Sequence, residues 1–108
     1  MNNDLLSFSP DTSPETLDRL ANDGVSWVRC GVARNINTSP ETLERMANDK
    51  NWSVRYCVSI NSNTPPEALA RLADDEDWSV RYGVAKNPNT PQYIKDYLKI
   101  KRILNCYE

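Results

Sequence analysis

TPPEALARLADDEDWSVRYGVAKNPN, from Thr64 to Asn89, is the third of three near-copies of one 26-residue unit. TSPETLERMANDKNWSVRYCVSINSN precedes it at Thr38–Asn63, and TSPETLDRLANDGVSWVRCGVARNIN stands at Thr12–Asn37. The dipeptide Val-Arg keeps the register at Val28-Arg29, Val54-Arg55 and Val80-Arg81. A period of this length marks supersecondary units that cannot bury an apolar face alone and stack on their neighbours to do so.

Each unit reads as two helices. Thr12 to Glu15, Thr38 to Glu41 and Thr64 to Glu67 have the Thr-x-x-Glu spacing of a capping box. Pro14, Pro40 and Pro66 fall in the first turn, where a missing N–H costs nothing. Leu17, Leu20 and Ala21, with their counterparts Leu43, Met46, Ala47 and Leu69, Leu72, Ala73, form an i, i+3, i+4 apolar stripe. A polar turn follows at Asp23, Asp49 and Asp75. The second helix is expected to start at Ser26-Trp27, Asn51-Trp52 and Asp77-Trp78, with stripes Val28/Gly31/Val32, Val54/Cys57/Val58 and Val80/Gly83/Val84. The small residues in those stripes imply close approach of neighbouring backbones. Asn35, Asn61 and Asn87 end the second helix, and Asn37, Asn63 and Asn89 form a second asparagine column. In the first unit, Gly24 and Ser26 predict a turn longer by one residue, a later helix start, and a Trp27 that points differently from Trp52 and Trp78.

The ends keep the register. Leu6 falls on the Val32 column and Ser9 on the Asn35 column, so residues 1–11 read as a half-repeat cap. Repeats then occupy 12–37, 38–63 and 64–89. The run YIKDYLKIKRILNCY after Thr90-Pro91-Gln92 lacks Gly and Pro, and residues 90–108 read as a capping helix sealed by Ile94, Tyr97, Leu98 and Leu104. The expected fold is a single all-α domain, 1–108: an α-solenoid of about three and a half two-helix repeats with a C-terminal capping helix.

Bulk composition restricts function. A net charge of -2 gives no global drive toward nucleic acid or anionic lipid. No apolar run is long enough to span a membrane, and MNNDLLSFSP lacks the basic and apolar regions of a signal peptide. Cys30, Cys57 and Cys106 are odd in number and widely spaced, the pattern of reduced thiols, so the expected location is cytoplasmic. The chain has no histidine and three glycines. Histidine-based triads and phosphate-binding glycine loops are therefore ruled out, and no metal, cofactor or enzymatic activity is expected.

The Thr64–Asn89 run continues into Thr90-Pro91. It carries Thr-Pro-Pro-Glu-x-Leu-x-x-Leu-Ala-x-Asp, then Trp-x-Val-Arg-x-x-Val-Ala-x-Asn-Pro-Asn-Thr-Pro. This resembles the leucine-rich repeat variant family, and the resemblance extends over roughly residues 9–98. It implies a right-handed helical superhelix of HEAT-like style, a second helix that is short and 3₁₀ in some members, and neither enzymatic activity nor an agreed ligand. Some relatives hold an iron–sulfur cluster in a cysteine-rich segment before the repeats. No cysteine precedes Cys30 here, so that property does not carry over. The second unit departs from the pattern at Ser59, Ile60 and Ser62.

The recurring residues read as structure. Arg29, Arg55 and Arg81 are expected to pair with the Asp23, Asp49, Asp75 column, in their own or the next unit. The Trp column is expected to wedge between layers and the asparagines to satisfy turn backbone. The positions that differ between copies read as function. Cys30, Tyr56 and Tyr82 share one column, and Arg34, Ile60 and Lys86 share another one turn later, on the same helix face. That mixed aromatic and basic surface suits a protein partner, of unknown identity, on a non-enzymatic scaffold. The alternative is a HEAT-like nucleic-acid binder that uses Arg34, Lys86 and the basic tail Lys95, Lys99, Lys101 and Arg102; the net negative charge argues against it. End-to-end self-association through Leu5 and Leu6 or the Tyr97 helix is a further expectation beside a monomer.

Overall fold

The computed structural model describes residues 3–105, which form eight α-helices and no strand. These are α1 (Asn3–Phe8), α2 (Pro14–Leu20), α3 (Ser26–Arg34), α4 (Pro40–Met46), α5 (Trp52–Ile60), α6 (Pro66–Leu72), α7 (Trp78–Lys86) and α8 (Gln92–Asn105). The second helix of each unit is α-helical, two turns and a half long, rather than 3₁₀.

The prolines decide where α2, α4 and α6 begin. Each takes the first helical position, so the residue just before it becomes the cap. Ser13 and Ser39 accept from the amides of Thr16 and Thr42 at 3.2 Å, and Pro65 holds that place in the third unit. The capping box expected at Thr12, Thr38 and Thr64 is corrected accordingly, because those threonines sit one residue too early to reach the first-turn amides. They are buried instead. Thr38, Thr64 and Thr90 donate to the carbonyls of Val32, Val58 and Val84 at 2.5–2.7 Å, and Thr12 donates to that of Leu6. Each threonine thus ties the end of one helix to the start of the next.

The turn between the paired helices is built on aspartate. The Oδ1 atoms of Asp23, Asp49 and Asp75 each accept, at 2.9 Å, from the amide two residues on. Asn51 and Asp77 then cap α5 and α7, accepting from Ser53 and Ser79; Val25 occupies that column at α3 and contributes no side-chain bond. Helix α3 starts in the same register as α5 and α7, so the turn is not longer. Trp27 is simply one helical position further on, in the column of Ser53 and Ser79. The wedge expected of the tryptophans is also corrected. Trp27, Trp52 and Trp78 are 51%, 48% and 68% exposed. The first turn of the second helix lies at the rim, and valines fill the space between layers.

One apolar core runs the length of the molecule, which measures 51 × 23 × 17 Å. Leu17, Leu43 and Leu69 from the first helices are fully buried, and so are Val32, Val54, Val58, Val80 and Val84 from the second. Each such side chain contributes about 1.5–3 kcal/mol on burial. The order α1, α3, α5, α7 is a stack in which each second helix lies on the one before it. Close approach requires glycine: a Cβ at Gly83 would lie 3.0 Å from Ser59 Cβ and 3.2 Å from Ile60 Cγ2. A Cβ at Gly31 would lie 2.9 Å from Ser7 Cβ.

The ends depart from the units. Leu6 packs on the core while Leu5 is exposed. In α8, Ile94 and Leu98 are buried, but Tyr97 and Leu104 are not, so only the first two turns cover the core. Tyr97 is anchored by its rim instead. Its hydroxyl donates to Asp74, which also receives Lys101 Nζ at 3.1 Å. The Tyr97 hydroxyl and then Lys101 hold the Asp74 carboxyl below its ordinary value. Cys106 lies outside the described residues. Among those residues, no helix is long and apolar enough to cross a membrane.

Candidate interaction surface

Two polar ladders run through the stack of second helices. In the first, Arg29 Nε and Nη2 donate to Asp49 at 2.8 and 3.2 Å, and Arg55 donates likewise to Asp75 at 2.7 and 3.2 Å. The remaining arm, Nη1, donates to the carbonyls of Asp23, Asp49 and Asp75 from Arg29, Arg55 and Arg81 respectively. Arg29 and Arg55 therefore bind the turn of their own unit through its backbone and the turn of the next through its aspartate side chain. The bidentate fork fits a planar guanidinium and would not fit lysine. Both guanidinium groups titrate above their ordinary value, chiefly through the hydrogen bonds to these carboxylates.

The ends of this ladder differ from the expectation. Asp23 contributes its carbonyl to Arg29 and, among the described residues, no side-chain ion pair. Arg81 has no carboxylate partner among the described residues. Arg29 and Arg55 find an aspartate 20 residues on, whereas the position 20 residues after Arg81 holds Lys101.

The second ladder is asparagine. Asn61 Nδ2 donates to the carbonyls of Ala33 and Asn35 at 2.7 and 3.1 Å, while its Oδ1 accepts from the Asn63 amide at 2.8 Å. Asn35 does the same with Ser7 and Ser9, and Asn87 with Ser59 and Asn61. The outer column, Asn37, Asn63 and Asn89, reaches back to Pro10, Ile36 and Ser62. Among the described residues, no buried side-chain nitrogen or oxygen lacks a partner.

The columns singled out as a contact face are not uniformly available. Cys30 and Tyr56 are half-buried and pack against the core. Cys30 Sγ lies 3.5 Å from Ser53 Oγ. Arg34, Ile60, Tyr82 and Lys86 are exposed. The reason is stacking: Cys30 and Tyr56 are covered by the following layer, and no layer covers Tyr82. Burial pushes the neighbouring Cys57 thiol up to about 12, with Cys30 adding to the effect, so it stays protonated and unreactive at neutral pH. No group of three or more Cys, Asp and Glu is placed to hold a metal among the described residues.

The exposed end of the face opens into a cavity of about 890 Å³ between α7 and α8. Arg81, Lys86, Lys95, Lys99, Lys101 and Arg102 line it, with Trp78 and Tyr82 on the α7 side. Six of the chain's thirteen Lys and Arg stand here, and among the described residues no Asp or Glu lines it. Tyr82 meets Trp78 edge to face, ring centroids 6.4 Å apart, and Lys86 Nζ lies 5.4 Å over the Tyr82 ring. Sequence reasoning joined Lys86 to the basic tail in the nucleic-acid alternative and read Tyr82 on the face with Lys86. It missed that Arg81, read as a rung of the ladder, stands among them in one cavity. The legible signal was the lysine at 101, where the ladder's spacing calls for aspartate.

Residues 27–51 match the family model described as Leucine rich repeat variant. The matched stretch runs from Trp27 in α3 through α4 and the turn after it, and both Arg29 and Asp49 lie within it. Comparison with curated proteins and with solved structures finds no match.

Proposed function

We propose that this chain is a non-enzymatic interaction module, a right-handed α-solenoid that presents a variable surface on a rigid repeat frame to a protein partner in the cytoplasm. One observation carries the reading. The recurring Arg29, Arg55, Asn35, Asn61 and Asn87 are engaged inside the stack, whereas the positions that vary reach solvent at Arg34, Ile60, Tyr82 and Lys86. Tyr82, half exposed beside a cation-rich cavity, has the composition of an interface anchor. The test is quantitative capture from the host extract with the wild-type chain and with Y82A/K86A. Both side chains lie outside the core, so the variant is expected to keep its melting temperature and lose its specific partner about tenfold. A captured set that is identical for the two chains would refute the reading.

The six cations around the cavity favour a second reading, a nucleic-acid strand stacked on Trp78 and Tyr82. Retention of a single-stranded RNA that falls steeply with salt and is lost in K99E/R102E would support it.

A further inference from the structure

We propose that the cavity between α7 and α8 docks an acidic amphipathic α-helix of a partner protein, which takes the place of the next second helix in the stack. The inference rests on the interaction reading and specifies its partner.

Three features of α7 show a prepared and vacant rung. The first is burial. Ser7, Ala33 and Ser59 occupy one column of the second helices and are completely buried, because the following helix lies on them. Ala85 is the next residue of that column and is only partly buried. The second is the arginine ladder. Arg29 and Arg55 each grip the following layer's aspartate with Nε and Nη2, while Arg81 keeps only its bond to the Asp75 carbonyl. The third is the asparagine ladder. The carbonyl pairs Ser7/Ser9, Ala33/Asn35 and Ser59/Asn61 each accept from the next layer's asparagine. Ala85 and Asn87 are the next pair in the series, and among the described residues no side chain donates to their carbonyls.

The occupant's shape and charge follow from these groups. Helix α8 is one helix from Gln92 to Asn105, not a pair like the repeats, and it lines the vacancy without filling it. Among the described residues, every ionic side chain on the wall is cationic. An occupant must therefore carry net negative charge on its outer face. It must also place one carboxylate, before its first turn, on Arg81. A nucleic-acid strand would meet the charge but not the helix-shaped rung above Ala85.

A synthetic helix tests the proposal. The probe spans Asp75–Asn87 of this chain, is constrained by a lactam bridge on its outer face, and carries R81E and K86E to make that face acidic. It retains the aspartate, the valine stripe and the terminal asparagine that each rung of the stack uses. Fluorescence anisotropy is expected to show saturable binding to the intact chain. A probe with D75N should bind about tenfold more weakly, the loss of one charge-assisted pair. K99E/R102E in the chain, at exposed positions outside the core, should weaken binding by a similar factor. No binding of the probe up to about 1 mM, or equal binding of the D75N probe, overturns the proposal. So does a single-stranded RNA that binds more tightly than the helix, or a dimer of this chain that the probe displaces. If the probe fails while partner capture still depends on Tyr82 and Lys86, the interaction reading stands and only the helix-docking inference falls.

Discussion

Asp75 shows how much one repeated residue does. Its carboxylate accepts from Arg55 and from the Asp77 amide, and its carbonyl accepts from Arg81. The Arg55–Asp75 pair is nearly buried, with side chains 13% and 8% exposed, whereas Arg71 and Glu44 pair at 47% and 45%. The first pair is bidentate at 2.7 and 3.2 Å and the second a single contact at 3.3 Å, so geometry and exposure both favour the first. Removing one partner of the buried pair strands a charge, so D75N is expected to cost about 3–5 kcal/mol. E44Q, on the solvated pair, should cost about 0–1 kcal/mol. Urea denaturation of the two variants checks this, and similar midpoints would mean that the ladder contributes no more than a surface pair. The threonines teach the complementary lesson. Thr-x-x-Glu is a legible pattern, but the proline at the first helical position moves the cap to the next residue and leaves threonine to hold the preceding helix.

At the scale of the element, packing between second helices decides which residue can be small. Gly83 meets Ser59 and Gly31 meets Ser7, while the repeat register sets Cys57 against Ala33. Where the upper helix carries a side chain, the lower one carries only a methyl. G83A is therefore expected to destabilise by about 1–3 kcal/mol through overpacking, despite alanine's better helix propensity. Adding S59G should recover part of the loss, and strict additivity of the two changes would contradict direct contact. The glycine was visible in the sequence as a small residue in an apolar stripe. Its partner was not, because the facing residue lies a whole unit earlier and only the stacking register identifies it. The tryptophans failed for the same reason. A tryptophan near the start of every second helix, in two adjacent columns, looked like a wedge, yet the first turn of each second helix projects over the rim.

For the whole molecule, contacts run between adjacent layers, so stability should vary along the stack. Amides of α3 and α5, covered by a second helix on each side, are expected to exchange most slowly with solvent. Those after Leu98 in α8, where Ile100, Ile103 and Leu104 are exposed, should exchange within the shortest times measured. Hydrogen exchange read by mass spectrometry checks the gradient; equal protection across the chain would show a single cooperative unit instead. The sequence by itself determined the period, the helix pairs, the apolar stripes and the arginine and asparagine columns, because these follow from local spacing and from groups that each unit must satisfy. Only the tertiary structure decided which rungs are filled. Burial of a column depends on whether another layer arrives, and that is why Ser59 is sealed, Ala85 is not, and the arginine ladder ends in an open cationic cavity at Arg81.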